Sequence, residues 1–151
     1  MPVVNTVFVD TSVLIRADDG ADTALQQAAR DWLMVLWQRR IGRLSTQVLS
    51  DYYVDVTRNI QPGLSQGDAR AKVRRFQQWQ PWQIDHQTVE TAWGIEARFG
   101  LGYRDSLIVA AAQHAGCSHV LSEAMGHAQQ YGPIQILNPF LAPISVLDAA
   151  P

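Results

Sequence analysis

Fourteen of the 151 residues are Asp or Glu, and four of them fall where an extended run passes into a turn or a helix. Asp10 follows Val7-Phe8-Val9, Asp51 lies in the helix expected after Leu44-Ser45, Asp105 opens an alanine-rich segment, and Glu123 follows Val120-Leu121-Ser122. Each has an ordinary explanation when taken alone. Asp10 can cap a helix, Asp105 can complement a helix macrodipole, Asp51 can be solvated and Glu123 can be a loop acid. As a set they are costly, because carboxylates buried near one another require a compensating cation. Asp51 also stands among Val48, Leu49, Tyr52, Tyr53 and Val54, apolar company for an unpaired acid. A hard divalent cation, Mg2+ or Mn2+, resolves the conflict, since it takes oxygen ligands, keeps several waters and needs few protein carboxylates. Such an ion makes water a better nucleophile and stabilises charge on a phosphate oxygen, which is the chemistry of phosphodiester hydrolysis. Zinc chemistry is disfavoured: His86, His114, His119 and His127 show no ligand spacing and are expected to be structural or exposed. Asp18, Asp55 and Asp85 read as loop or solvent-face acids.

The elements that must position these acids follow from periodicity. Val3 to Val9 predicts a buried strand ended by Asp10-Thr11-Ser12. From Thr23, the residues Leu25, Ala28, Ala29, Trp32, Leu33, Leu36 and Trp37 recur every three or four positions and predict a helix ending near Gly42. Arg43 to Ser45 is a short candidate strand, after which Ser45 or Thr46 caps a helix through Leu49, Tyr52, Tyr53 and Val56. Pro62-Gly63 breaks it, and Ser65 or Asp68 opens another helix with Val73 and Phe76 inward. Trp82-Gln83-Ile84 reads as a brief strand, followed by a helix with Val89, Ala92 and Trp93 inward that stops at Gly100. Tyr103 to Ala115 predicts a further helix, and His119–Leu121 and Ile134–Leu137 predict the last two strands. Strands alternating with helices favour a parallel sheet covered on both faces, whose polar residues gather at the strands' carboxyl ends where strand order reverses.

Composition agrees with one globular domain. Apolar residues make up 47% and charged residues 17%, outside the range of a disordered chain. No apolar run is long enough to span a bilayer, and Met1 to Asn5 lacks a basic segment typical of a secretory signal. One cysteine, Cys117, cannot pair internally and is expected to pack as a small apolar residue. A cytoplasmic location, without membrane association, is the expectation. The net charge of −2 gives no overall attraction to nucleic acid, so local basic groups matter more. Arg39, Arg40 and Arg43 flank one helix end, while Arg70, Lys72, Arg74 and Arg75 lie on another helix. These residues are either solvated or phosphate contacts. Arg104, beside Asp105, is the better candidate for touching substrate or a partner's carboxylate. Trp32, Trp37 and Trp93 fit buried helix faces; Trp79 and Trp82 suit base stacking or a protein interface equally well.

Five ordered segments resemble the PIN-domain family, and within it the VapC-like toxins of bacterial toxin–antitoxin pairs. They are Val7-Phe8-Val9-Asp10-Thr11-Ser12-Val13-Leu14, the stretch Leu44 to Tyr53, the stretch Gly102 to Ala112, Leu121-Ser122-Glu123 and Asn138-Pro139-Phe140. The resemblance implies a three-layer α/β/α domain with a central, mainly parallel, twisted sheet of four to five strands. It spans residues 1–140, leaving 141–151 as a C-terminal tail. It implies that Asp10, Asp51 and Asp105 are catalytic metal ligands and that Ser12 supports them by hydrogen bonding. Many relatives carry a fourth acid two residues beyond the Ser or Thr ending the fourth strand. That position is Ala124 here, so either the neighbouring Glu123 substitutes or the site has three acids. The implied activity is Mg2+- or Mn2+-dependent endoribonuclease action on RNA, with a small cognate antitoxin as partner and a homodimer as the assembly. Two other readings remain: a PIN-like module that binds RNA or protein with little or no cleavage, motivated by Ala124, and phosphotransfer through Asp10. The second usually needs another Asp two positions on, where this chain has Ser12.

Overall fold

Val7, Phe8 and Val9 are all fully buried, so the first strand is covered on both faces and lies inside the sheet rather than at its edge. The computed structural model describes residues 3–149; Met1, Pro2 and the last two residues of the expected tail, Ala150 and Pro151, lie outside them. The element order is β1 (Val7–Val9), α1 (Thr11–Asp18), α2 (Thr23–Arg39), β2 (Gly42–Arg43), α3 (Thr46–Arg58), α4 (Gln66–Arg75), a 3-10 turn at Phe76–Trp79, α5 (His86–Phe99), α6 (Tyr103–His114), β3 (His119–Leu121), β4 (Gln130–Tyr131), β5 (Ile134–Leu137) and a 3-10 turn at Ile144–Asp148.

The five strands form one sheet in the order β2-β1-β3-β5-β4. β2, β1, β3 and β5 run parallel and β4 pairs antiparallel with β5, which bears out the expected mainly parallel sheet. The chain moves from β1 to one side to form β2, and β3 lies on the other side. Strand order therefore reverses between β1 and β3, and their carboxyl ends open a crevice there. α1 packs against both α2 and α3, and α3 against α4, while α5 packs along α6 and α6 on β3 and β5. The result is the three-layer α/β/α arrangement.

Local chemistry explains most helix starts. Asp22, Ser45, Ser65 and Asp85 each accept a bond from the backbone N–H three residues on, capping α2, α3, α4 and α5. Asp85 is thus a structural cap. α6 is buried from Ser106 through Ala112, and its alanines allow close approach to α5 and the sheet. Its first turn, Tyr103 to Asp105, is more exposed, and just beyond it the Ser106 hydroxyl donates to Leu101 O (3.1 Å).

Several expectations are corrected. The first strand begins at Val7 rather than Val3, and α1 follows Asp10 directly with no loop between them. The Trp82 segment makes a single parallel bridge to Ser45 instead of a strand. Trp93, expected inward, is 48% exposed because α5 turns its opposite side, with Ala92 and Ile95, to the core. Trp79 is core: it packs against Trp37 and Phe76 with ring centroids 5.3 and 5.0 Å away, so it is not free to stack on RNA. Trp82 is half-buried, its Nε1 donating to Thr88 Oγ1 at 2.9 Å. Asp18, expected at the surface, is half-buried with its side chain turned inward, where its carboxylate accepts from Tyr52 Oη (2.5 Å) and pairs with Lys72. That bond and burial both push the Tyr52 hydroxyl well above its ordinary range. Cys117 is buried as expected, and burial pushes its thiol up to about 11, leaving it unreactive at neutral pH.

Candidate active site

Asp10 occupies the cap position of α1, yet its side chain makes no cap bond. Its backbone N–H donates to Leu121 O (3.0 Å), joining the ends of β1 and β3 at the point where strand order reverses. The carboxylate points into that crevice and is held there by two hydroxyls. Ser122 Oγ donates to Asp10 Oδ2 at 2.7 Å and Ser12 Oγ donates to the same oxygen at 2.9 Å. Burial raises the Asp10 pKa, and these two hydroxyls oppose the rise by favouring the anion. Ser12, expected in a supporting role, makes that contact. Ser122 was not expected; its only sequence signal is its place at the end of a strand bordering the reversal point.

Asp105 lies in the first turn of α6. Its carboxyl is raised, first by burial and then by the nearby Asp10 charge, with Arg104 acting in the opposite direction. Two acids far apart in the sequence therefore repel each other across one crevice. Asp51, from the middle of α3, reaches the same crevice and is paired with Arg104, Nη2 to Oδ2 at 2.5 Å. The Gln47 side-chain amide fixes the Arg104 main chain by donating to its carbonyl oxygen (3.2 Å), and Gln47 Oε1 is buried without a partner.

Asp10, Ser12, Gln47, Asp51, Asp55, Arg104 and Asp105 line a single open groove of about 560 Å³. Asp55, read from sequence as a solvent-face acid, thus belongs to the groove wall. Its position four residues after Asp51 on one helix was the available signal. Glu123 does not line this groove. Both of its oxygens accept from Arg16 Nη2 at 3.2 Å, and its backbone N–H donates to Ser12 Oγ at 3.4 Å. Ala124 supplies only a backbone N–H to Ser122 Oγ (3.0 Å).

The donor set suits a hard cation. Four carboxylates and one guanidinium line the groove, and the Asp10–Asp105 repulsion is the kind a shared cation relieves. Among the described residues no three His, Cys, Asp or Glu side chains stand close enough to enclose an ion together, and Asp51 is turned toward Arg104. A Mg2+-like ion needs only one or a few protein carboxylates and completes its octahedron with water. Asp10 and Asp105, whose charges repel, therefore fit it as the holding pair, with Asp51 lining the same groove.

A doubly covered parallel sheet with a carboxylate groove at its reversal point defines an α/β domain of acid-lined type. Residues 7–123 match the PIN domain, and the chain belongs to the PIN domain family. Among solved structures it is similar to VapC20 from Mycobacterium tuberculosis, described as a sarcin-ricin-loop-cleaving toxin. The match has a TM-score of 0.58 and 17% sequence identity, and covers 76% of this chain and 87% of that one. A search of curated protein sequences returns no significant match. Among the described residues no helix is long and apolar enough to cross a membrane.

Proposed function

We propose that the protein is a divalent-metal-dependent endoribonuclease, the toxin of a toxin–antitoxin pair acting in the cytoplasm. The observation that carries this reading is the groove itself, where Asp10, Asp51 and Asp105 arrive from three separate elements at the end of a parallel sheet. Membership of the PIN family and the likeness in fold to a toxin that cleaves RNA support it. Mg2+ or Mn2+ would be held by Asp10 and Asp105, with Asp51 reaching it directly or through water. When bound, the ion activates water and stabilises charge on the phosphate.

The chain's own residues do the rest. Ser12 and Ser122 fix the orientation of the Asp10 carboxylate, so no reorganisation is needed when substrate arrives. Water attacks phosphorus and forms a new P–O bond as the P–O bond to the leaving oxygen breaks in line; a groove carboxylate takes the water's proton and solvent protonates the leaving oxygen. Acids outnumber bases in the groove by three, so unscreened phosphate is repelled and cation loading precedes RNA binding. The partner proposed is a small antitoxin, and the assembly a homodimer; exposed Met34 and Trp93 are apolar surface available to such contacts. We place the domain at residues 1–140, with 141–151 as a tail.

The Arg16–Glu123 pair favours a second reading, because it occupies the acid next to Ala124. On that reading the chain binds RNA or protein and barely cuts. Purified protein incubated with structured RNA and Mg2+ or Mn2+ separates the two. Cleavage that is abolished by EDTA and reduced roughly hundredfold or more in Asp10→Asn and Asp105→Asn, with circular dichroism unchanged, is the result expected. Full activity in either variant would remove the assignment.

A further inference from the structure

Arg104 is the most exposed charged residue of the groove pair it forms, with 73% of its side chain exposed against 27% for Asp51, yet its guanidinium is turned inward onto that acid. Asp51 holds it most strongly, and Asp55 and Asp105 add further attraction, so its charge is more firmly retained than an ordinary arginine's. A guanidinium does not deprotonate at any relevant pH. Asp51 is therefore released only when the Arg104 side chain moves. The exposure of that side chain leaves it free to move, while its backbone stays tied to Gln47. Asp55, one helical turn from Asp51 on α3 and lining the same groove, offers the displaced cation a second carboxylate.

We propose that Arg104 is a resident counter-ion of Asp51, which a divalent cation must displace before Asp51 joins Asp10 and Asp105. The proposal rests on the metal-dependent reading above. Arg104 then acts in two opposed directions. In the metal-free protein it neutralises an acid that would otherwise add to the repulsion between Asp10 and Asp105, and so favours folding. During metal loading it competes for Asp51 and so weakens binding. An arginine that merely supported the groove would have one sign only, and its loss would weaken both properties.

Calorimetric titration of Mn2+ into wild type, Arg104→Gln, Arg104→Lys and the double variant Asp51→Asn/Arg104→Gln tests this. Arg104→Gln is expected to bind Mn2+ about fivefold more tightly, the scale of a half-exposed ion pair, while its metal-free melting temperature falls. Arg104→Lys keeps the charge and restores the wild-type affinity. The double variant loses the gain, because the acid competed for is gone. Equal or weaker Mn2+ binding in Arg104→Gln, with measurable binding by wild type, overturns the counter-ion role and leaves the metal site standing. Absence of Mn2+ binding in every variant overturns the metal site and this proposal together.

Discussion

Asp10 is buried at the end of β1, where hydroxyls from two distant parts of the chain hold one oxygen of its carboxylate. Its place after three buried strand residues marked it as a site acid, and Asp105 was marked by its position at the start of a helix. What holds Asp10 in place was only half legible. Ser12 is two residues away, whereas Ser122 approaches across a sheet contact that links positions 112 residues apart. Arg16 and Glu123 pair over a similar span, which is why an acid expected as a possible metal ligand is committed elsewhere. Long-range pairing of this kind leaves no local pattern in the chain. His119 illustrates the consequence for stability. It is fully buried in β3, its Nδ1 lies 2.6 Å from Ser118 Oγ, and burial depresses its pKa below the ordinary 6.5. The unfolded chain therefore binds this proton more readily than the folded one. The histidine's contribution is intact above pH 6.5 and is lost as the pH falls below that value toward the depressed folded one. Urea denaturation midpoints should drop across this range in wild type, with the drop flattened in His119→Gln; an unchanged slope would show that His119 is not the titrating group.

The long helices were legible from their apolar repeats and the short strands β3 and β5 from their buried aliphatic runs, whereas α1 and β4 were not. α2 and α3 follow their periodicity, and α5 forms where expected but turns Trp93 outward. α6 is buried through seven consecutive residues rather than along one face. Ser45 and Ser65 cap where hydroxyl residues preceding such repeats are expected to. α1 was missed because it is only eight residues long and begins directly after a strand, so the two periods run together. β4, at two residues, is too short to carry any alternation. The aromatic packing under β2 was equally hidden. A Cβ at Gly42 would lie 2.5 to 2.8 Å from three ring atoms of Trp79, which Trp37 and Phe76 hold in place. Gly42→Ala should therefore destabilise the protein by about 1–3 kcal/mol through overpacking, measured by chemical denaturation. A neutral effect would mean that the Trp79 ring shifts freely. The groove lies at the opposite end of the strands, beyond Val9 and Leu121, so Asp10-dependent metal binding should be retained in this variant.

At the scale of the molecule, the expected fold class was right because one physical rule dominated it. Strands buried on both faces must be covered by helices, and ligand-binding groups then collect where strand order reverses. The order β2-β1-β3-β5-β4 puts that reversal between the strands that lead into Asp10 and Ser122. α3 and α6 bring Asp51 and Asp105 to it from other parts of the chain. The groove's internal cation was less legible: Arg104 was read as a contact for substrate or partner, but its pairing with Asp51 depends on how α3 and α6 approach. The account's central claim is that this groove binds a hard divalent ion through Asp10 and Asp105. Anomalous X-ray scattering from crystals soaked in Mn2+ tests it most directly. A peak within about 2.2 Å of oxygens from both carboxylates, lost in Asp10→Asn, is the predicted result; a peak bound elsewhere, or none at a Mn2+ concentration that supports RNA cleavage, would contradict it.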